Sequence, residues 1–133
     1  MKLHMFDTNT IGYLMRKDPR VAQRLADASA ADICASVVTE GEVRFSLAKR
    51  KVDAALEAAA NAFLATIQVL PWTRSTALVY GQLRADLERR GRPLQPLDMM
   101  IAAHAIEQKA VLVTSDRALL STPGLTGENW LAP

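Results

Sequence analysis

The sequence predicts an α/β domain in which a short, mostly parallel sheet is flanked by helices on both faces, giving three layers (α/β/α). Three observations support that prediction. Short apolar runs at Leu3–Phe6, Ile33–Ala35 and Val111–Val113 are each followed by residues that start helices, and unbroken apolar runs of this length read as strands buried on both faces. The segments between them space their apolar residues at helical intervals, and strands alternating with helices build parallel sheets. Finally, 133 residues that are half hydrophobic and 23% charged match one compact unit with a true core, so residues 1–133 are read as a single domain.

Taken in order, Asp7-Thr8-Asn9 closes the first strand and starts a helix through Ile11, Leu14 and Met15. Asp18-Pro19 restarts the chain, with Asp18 as N-cap and Pro19 in the first helical position; Val21, Leu25 and Ala28 give this second helix an apolar stripe. After Ile33–Ala35, Ser36 or Thr39 caps a helix holding Val43, Leu47 and Ala48. The alanine-rich stretch from Val52 to Thr66 contains no breaker and predicts a closely packed helix. A short strand ends at Val69-Leu70-Pro71, and a helix runs from Ser75 to Arg90 until Gly91-Arg92-Pro93 breaks it. Leu97 to Gln108 is helical, Val111–Val113 is the clearest strand, Asp116 to Leu120 a short helix, and Leu125 to Leu131 a loop with room for an edge strand.

Composition excludes several classes. No apolar run approaches the roughly 18–20 residues that span a bilayer, and the apolar start is too short for a signal peptide. The lone cysteine, Cys34, rules out an internal disulfide framework and a cysteine-built zinc site. A soluble, cytosolic protein is expected, with no membrane partner. The net charge of +2 says little about partners, although basic residues cluster at Arg16-Lys17, Lys49-Arg50-Lys51 and Arg89-Arg90-Gly91-Arg92.

Four acids carry the functional content. Asp7 directly follows the first strand and Asp116 comes three residues after Val113, so both fall at the carboxyl edge of the sheet, where open parallel sheets bind ligands. Glu42 lies one turn into the helix after the second strand, and Asp98 near the start of another helix; both stand among apolar neighbours. Helix beginnings favour carboxylates, and each acid has a purely structural alternative: Asp7 and Asp116 as caps, Glu42 in an intrahelical ion pair, Asp98 as a dipole partner after Gln95-Pro96. Together, four converging carboxylates would repel one another unless cations neutralised them, and two divalent ions would balance the charge. Hard oxygen donors suit Mg²⁺ or Mn²⁺ and not zinc. The two histidines, His4 and His104, lie far apart in sequence, and His104, beside Met100 and Ile101, reads as structural.

Five segments then occur in a telling order: Phe6-Asp7-Thr8-Asn9, Ser36 through Arg44, Arg84 through Pro93, Leu97 through Ala105, and Val113 through Asp116. With the late Pro123-Gly124-Leu125 and Glu128-Asn129-Trp130, they resemble the PIN domain over nearly the whole chain, and within it the VapC-type ribonuclease toxins of VapBC modules. Glu40-Gly41 departs from the family pattern, and Gly41 lowers helix propensity just before Glu42.

The resemblance implies a PIN-like α/β/α fold and a Mg²⁺-dependent endoribonuclease, with Mn²⁺ able to substitute. It places Asp7, Glu42, Asp98 and Asp116 in the metal and catalytic set and Thr8, Asn9 and Thr114 as supporting polar residues. Either Glu42 or Asp116 would orient the attacking water, and cleavage would leave a 3′-hydroxyl and a 5′-phosphate. It implies RNA, transfer RNA in particular, as substrate, a VapB-type antitoxin that folds onto the toxin and sets a basic side chain among the acids, and a homodimer or larger toxin–antitoxin assembly. Arg16, Lys17, Arg44, Arg89, Arg90, Arg92 and Arg117 are candidate RNA contacts. Two rivals are a catalytically inert PIN-like module that binds RNA or protein, and an aspartate-nucleophile phosphatase. The first should lack one of the four acids, and the second wants an acid where Asn9 stands. A phosphoacceptor domain built on Asp7, Asp53 and Lys109 fails because Lys49-Arg50-Lys51-Val52 is no buried strand.

Overall fold

A computed structural model describes residues 2–50 and 54–133. The expected start of the alanine-rich helix at Val52, Lys51 of the second basic cluster and Asp53 lie outside the described residues. The elements run β1 (His4–Phe6), α1 (Thr8–Met15), α2 (Pro19–Ala26), β2 (Ile33–Ser36), α3 (Val37–Arg50), α4 (Ala54–Thr66), β3 (Gln68–Leu70), α5 (Arg74–Arg89), α6 (Pro96–Glu107), β4 (Val111–Val113), α7 (Arg117–Leu120) and β5 (Thr126–Glu128), with a 3₁₀ turn at Ala30–Asp32 before β2.

All five strands pair in parallel, in the order β3-β2-β1-β4-β5. The expectation of a mostly parallel sheet is met by a wholly parallel one, because the C-terminal segment returns as β5 beside β4 rather than ending in a loop. Chain order moves outward from β1 through β2 to β3, then crosses back to β4. The direction of winding therefore reverses between β1 and β4, and crevices at such points receive ligands in open α/β sheets.

Side-chain alternation along these short strands separates two cores. Met5, Cys34 and Leu112 face one side, where they pack with Leu83 and Leu87 of α5 and Met99 and Ile101 of α6. Phe6, Ala35 and Val113 face the other, with Ile11, Val43, Leu64 and Trp130. Trp130 meets Phe6 edge to face at 5.1 Å between ring centroids, so it is a core residue. The Cys34 thiol is fully buried, and burial pushes its pKa up to about 12.

Helix ends follow local chemistry. Asp18 accepts from the Arg20 N–H, with Pro19 in the first helical position. Gly91, at φ +65°, ends α5; the Arg92 N–H bonds the Leu87 carbonyl at 2.9 Å and the Gly91 N–H bonds that of Glu88 at 3.1 Å, a Schellman closure. Lys17 and Lys109 adopt the same left-handed conformation after α1 and α6. Ser36 belongs to β2 rather than standing outside as a cap, yet its Oγ accepts from the Val38 N–H at 3.1 Å, and Thr39 is buried within α3.

Gly41 sits exposed in mid-α3 with open space where a Cβ would stand. Gly41→Ala should therefore raise stability by about 1 kcal/mol through helix propensity alone, seen as a higher urea midpoint with an unchanged slope.

Candidate active site

Asp7 is the residue between β1 and α1, and it is 4% exposed. Its N–H bonds the Val113 carbonyl at 3.2 Å, which ties it across the winding reversal to β4. Its Oδ1 accepts from the Thr10 N–H at 2.8 Å and from the Thr10 hydroxyl at 2.7 Å. That hydroxyl also lies 2.8 Å from the Val113 carbonyl. Capping occupies Oδ1, and Oδ2 is left without a protein hydrogen bond among the described residues.

Asp116 repeats the arrangement at β4. Its Oδ1 accepts from the Ala118 and Leu119 N–H groups at 2.8 and 3.1 Å, capping α7, and its own N–H bonds the Thr114 hydroxyl at 3.1 Å. Glu42, on α3, accepts the Thr8 hydroxyl on Oε1 at 2.6 Å, which links the two helices that leave β1 and β2. In both acids the second oxygen has no protein donor among the described residues. For Asp7 and Asp116 the capping role and the site role are thus compatible, since one oxygen holds the fold and the other is available; Glu42 makes no intrahelical ion pair among the described residues and is held by Thr8 instead.

Asp98, in the first turn of α6, has no hydrogen-bond partner of its own among the described residues. Its pKa is raised to about 6, first by burial and then by the charges of Asp116, Glu42 and Asp7 in decreasing order. The charges of the other three predicted acids therefore all reach Asp98. None of the four is ion-paired with a Lys, Arg or His among the described residues.

The donor set can be tested against a divalent metal. Among the described residues, no group of three or more His, Cys, Asp or Glu is gathered closely enough to ligate one ion together. A closed zinc shell needs such a group. Mg²⁺ does not, because it keeps several waters and takes one or two carboxylates directly. Hard oxygens, free on one side and lacking a protein cation, fit a hydrated Mg²⁺ or Mn²⁺.

Of the supporting residues, Thr8 and Thr114 act through the bonds just given, while Asn9 is exposed and makes no hydrogen bond to the acids. Sequence reasoning missed Thr10, although an Asp with Thr three residues later is a recognisable capping spacing. His4 bonds the Lys2 carbonyl and pairs with Glu128, and His104 is fully buried in α6, so neither histidine joins the acids. Among the candidate RNA contacts, Arg44 is engaged by Glu40 and Asn61, and Arg89 and Arg90 by Asp86. Arg16 lies over the Tyr13 ring and Arg92 bonds the Ser121 hydroxyl. These two, with Lys17 and Arg117, have no acidic partner among the described residues.

An open parallel sheet with acids gathered where its winding reverses defines a class of α/β domains, and the PIN-domain family model matches residues 5–125. The chain belongs to the PIN-domain family. It is 31% identical over 127 residues to the tRNA(fMet)-specific endonuclease VapC of Salmonella typhimurium, covering 95% of this chain and 96% of that protein. It is 28% identical over 131 residues to ribonuclease VapC2 of Rickettsia felis, covering 96% and 98%. Among solved structures, a chain of the Rickettsia felis VapBC2 complex bound to promoter DNA superposes with a TM-score of 0.89 at 26% identity, covering 96% of this chain and 98% of that one. The DNA-bound VapBC complex of Salmonella typhimurium gives 0.86 at 31% identity, covering 98% and 99%. No helix among the described residues is long and apolar enough to cross a membrane.

The raised pKa of Asp98 sets the sign of a pH effect. An acid whose folded pKa exceeds its unfolded value binds more protons in the native state, so stability falls as pH rises from about 4 to about 6. Metal-free protein should melt at a higher temperature at pH 5 than at pH 7.5. Asp98→Asn should remove most of that difference and gain about 1–2 kcal/mol at pH 7.5, allowing for solvent screening at a part-exposed group.

Proposed function

We propose that this protein is a Mg²⁺-dependent endoribonuclease of the VapC kind, the toxin of a VapBC module, acting on transfer RNA and restrained by a VapB-type antitoxin. One observation carries the reading: four carboxylates at the sheet's reversal point, Asp98 feeling the charge of the other three, three with an oxygen free of protein donors and none with a protein cation among the described residues. The two VapC relatives, one named for cleavage of a transfer RNA, supply the substrate class. Complexes named VapBC supply the partner.

In this reading one or two of Asp7, Asp98, Glu42 and Asp116 would hold the cation directly and the others through its waters, with Mn²⁺ able to replace Mg²⁺. Held there, a divalent cation would supply a bound water of lowered pKa and positive charge toward the phosphoryl oxygens. The chain's own residues do the positioning. Thr10 and the first turn of α7 fix Asp7 and Asp116, Thr8 fixes Glu42, and the free oxygens of Glu42 and Asp116 are available to orient the attacking water. Asp98 must be deprotonated to contribute, so protons compete with metal for the site.

An acidic centre repels phosphates, and cations that are not already paired draw RNA in. Arg16 and Lys17 at the end of α1, and Arg92 and Arg117 beside α7, fill that role better than Arg44, Arg89 or Arg90. An antitoxin cation placed among the acids would meet the same charge deficit that the metal meets. Exposed Phe45 and Leu78, 65% and 66% accessible, offer apolar surface for a homodimer or toxin–antitoxin assembly to cover. The phosphatase alternative has no counterpart to its second acid, because Asn9 stands at that position.

Purified protein freed of any partner should cut total RNA with Mg²⁺ and lose that activity with EDTA. Asp7→Asn and Asp98→Asn should each reduce cleavage to background in folded protein; an Asp98→Asn variant that cuts at the wild-type rate would overturn the reading. Activity should fall as pH drops through about 6, with a midpoint that moves lower as Mg²⁺ concentration rises.

Separately, Arg117→Ala and Arg92→Ala should raise KM for RNA and flatten its dependence on salt, with kcat changed less. Arg89→Ala should leave both near wild type in the same kinetic comparison.

A further inference from the structure

His104 is an imidazole sealed in the core, away from the acids, and its polar contacts lead back to them. Its Nδ1 lies 2.7 Å from the Ser36 hydroxyl, at the last residue of β2, and both side chains are fully buried. Ser36 Oγ already accepts from the Val38 N–H in the first turn of α3. Ser36 has no other acceptor for its proton, so the arrangement that satisfies every group has the hydroxyl donating to Nδ1. His104 is then the neutral tautomer carrying its proton on Nε2. Burial holds the ring below the usual histidine range and so keeps it neutral; Glu107 and the Pro71 carbonyl oppose that effect. Nε2 itself makes no hydrogen bond of good geometry, although the Pro71 carbonyl acts on the ring. A leucine would fill this place without a buried polar atom, so packing alone does not account for histidine.

The bond joins α6, which carries Asp98, to the last residue of β2, from which α3 and its Glu42 follow directly. Glu42 lies four residues beyond Val38 on α3, about 6 Å of helix rise, and Asp98 six residues before His104 on α6, about 9 Å. Among the described residues, no other hydrogen bond connects β2 or α3 to α6. We propose that His104 is a positioning residue: its bond to Ser36 sets α3 against α6 and thereby fixes the spacing of Glu42 and Asp98. This inference rests on the metal-dependent reading above.

Mn²⁺ affinity of the full chain, measured by calorimetry, tests it alongside thermal melting. His104→Leu and Ser36→Ala should each weaken Mn²⁺ binding about tenfold, the scale seen when groups behind a ligand are removed. The double variant should be no weaker than His104→Leu alone, because both changes break one bond. His104→Asn, whose amide stands near the place of Nδ1, should recover most of the affinity; if His104→Leu fails to fold, Ser36→Ala and His104→Asn carry the test. Wild-type Mn²⁺ affinity in Ser36→Ala and His104→Leu, with only the melting temperature lowered, would make the histidine structural and overturn the inference. So would losses that add in full, or an Asn variant no better than Leu. Wild-type protein that binds no Mn²⁺ would sink the metal reading and this inference together, whereas normal wild-type binding with unaffected variants sinks this inference alone.

Discussion

The site depends on a division of labour within single carboxylates. Asp7 and Asp116 each commit one oxygen to capping the helix that follows their strand, and Glu42 commits one to Thr8. Those bonds hold the acids at fixed places and leave the other oxygen without a protein donor among the described residues. Asp98 has no such anchor among them, and burial, reinforced by the charges of Asp116, Glu42 and Asp7, holds its proton more tightly than a carboxylate ordinarily holds one. A charge arrangement of this kind is unfavourable in isolation and becomes favourable once a cation enters.

The topology makes this division possible. Winding outward from β1 and then back to β4 opens a crevice between two adjacent strands. The residues following those strands, Asp7 and Asp116, flank it. Thr10 closes the arrangement by touching both Asp7 and the Val113 carbonyl. Helices leaving parallel strands also direct their amide ends at the same edge, and those partial positive charges favour carboxylates. Fold and electrostatics therefore agree on where the negative charge belongs.

Much of this was legible in the sequence because the responsible signals are local. Val111–Val113 is an unbroken apolar run in an inner strand of the sheet, Asp18-Pro19 is a helix start by its own stereochemistry, and four acids just past strand ends or inside apolar helices draw notice in any reading. What remained hidden depends on contacts distant in sequence. Nothing local tells a wholly parallel sheet from a mostly parallel one, since β5 earns its place only by pairing with β4. Ser36 and His104 are 68 residues apart, and neither has a neighbour that announces the other. Lys17 and Lys109 terminate helices in a conformation that usually calls for glycine, so the expected marker is missing at both ends. Asn9 fits the family's pattern of polar residues, and only the direction of its side chain places it outside the network.

Cys34 lies in β2, an inner strand, with its sulfur sealed from solvent and its proton held far above the neutral range. Thiolate, not thiol, reacts with alkylating reagents, so an intact molecule is silent towards them. Labelling proceeds only when the β-sheet parts, and its rate counts those openings one by one. The chain thus contains an intrinsic clock for native-state breathing, readable by mass spectrometry without adding a probe or altering any acid.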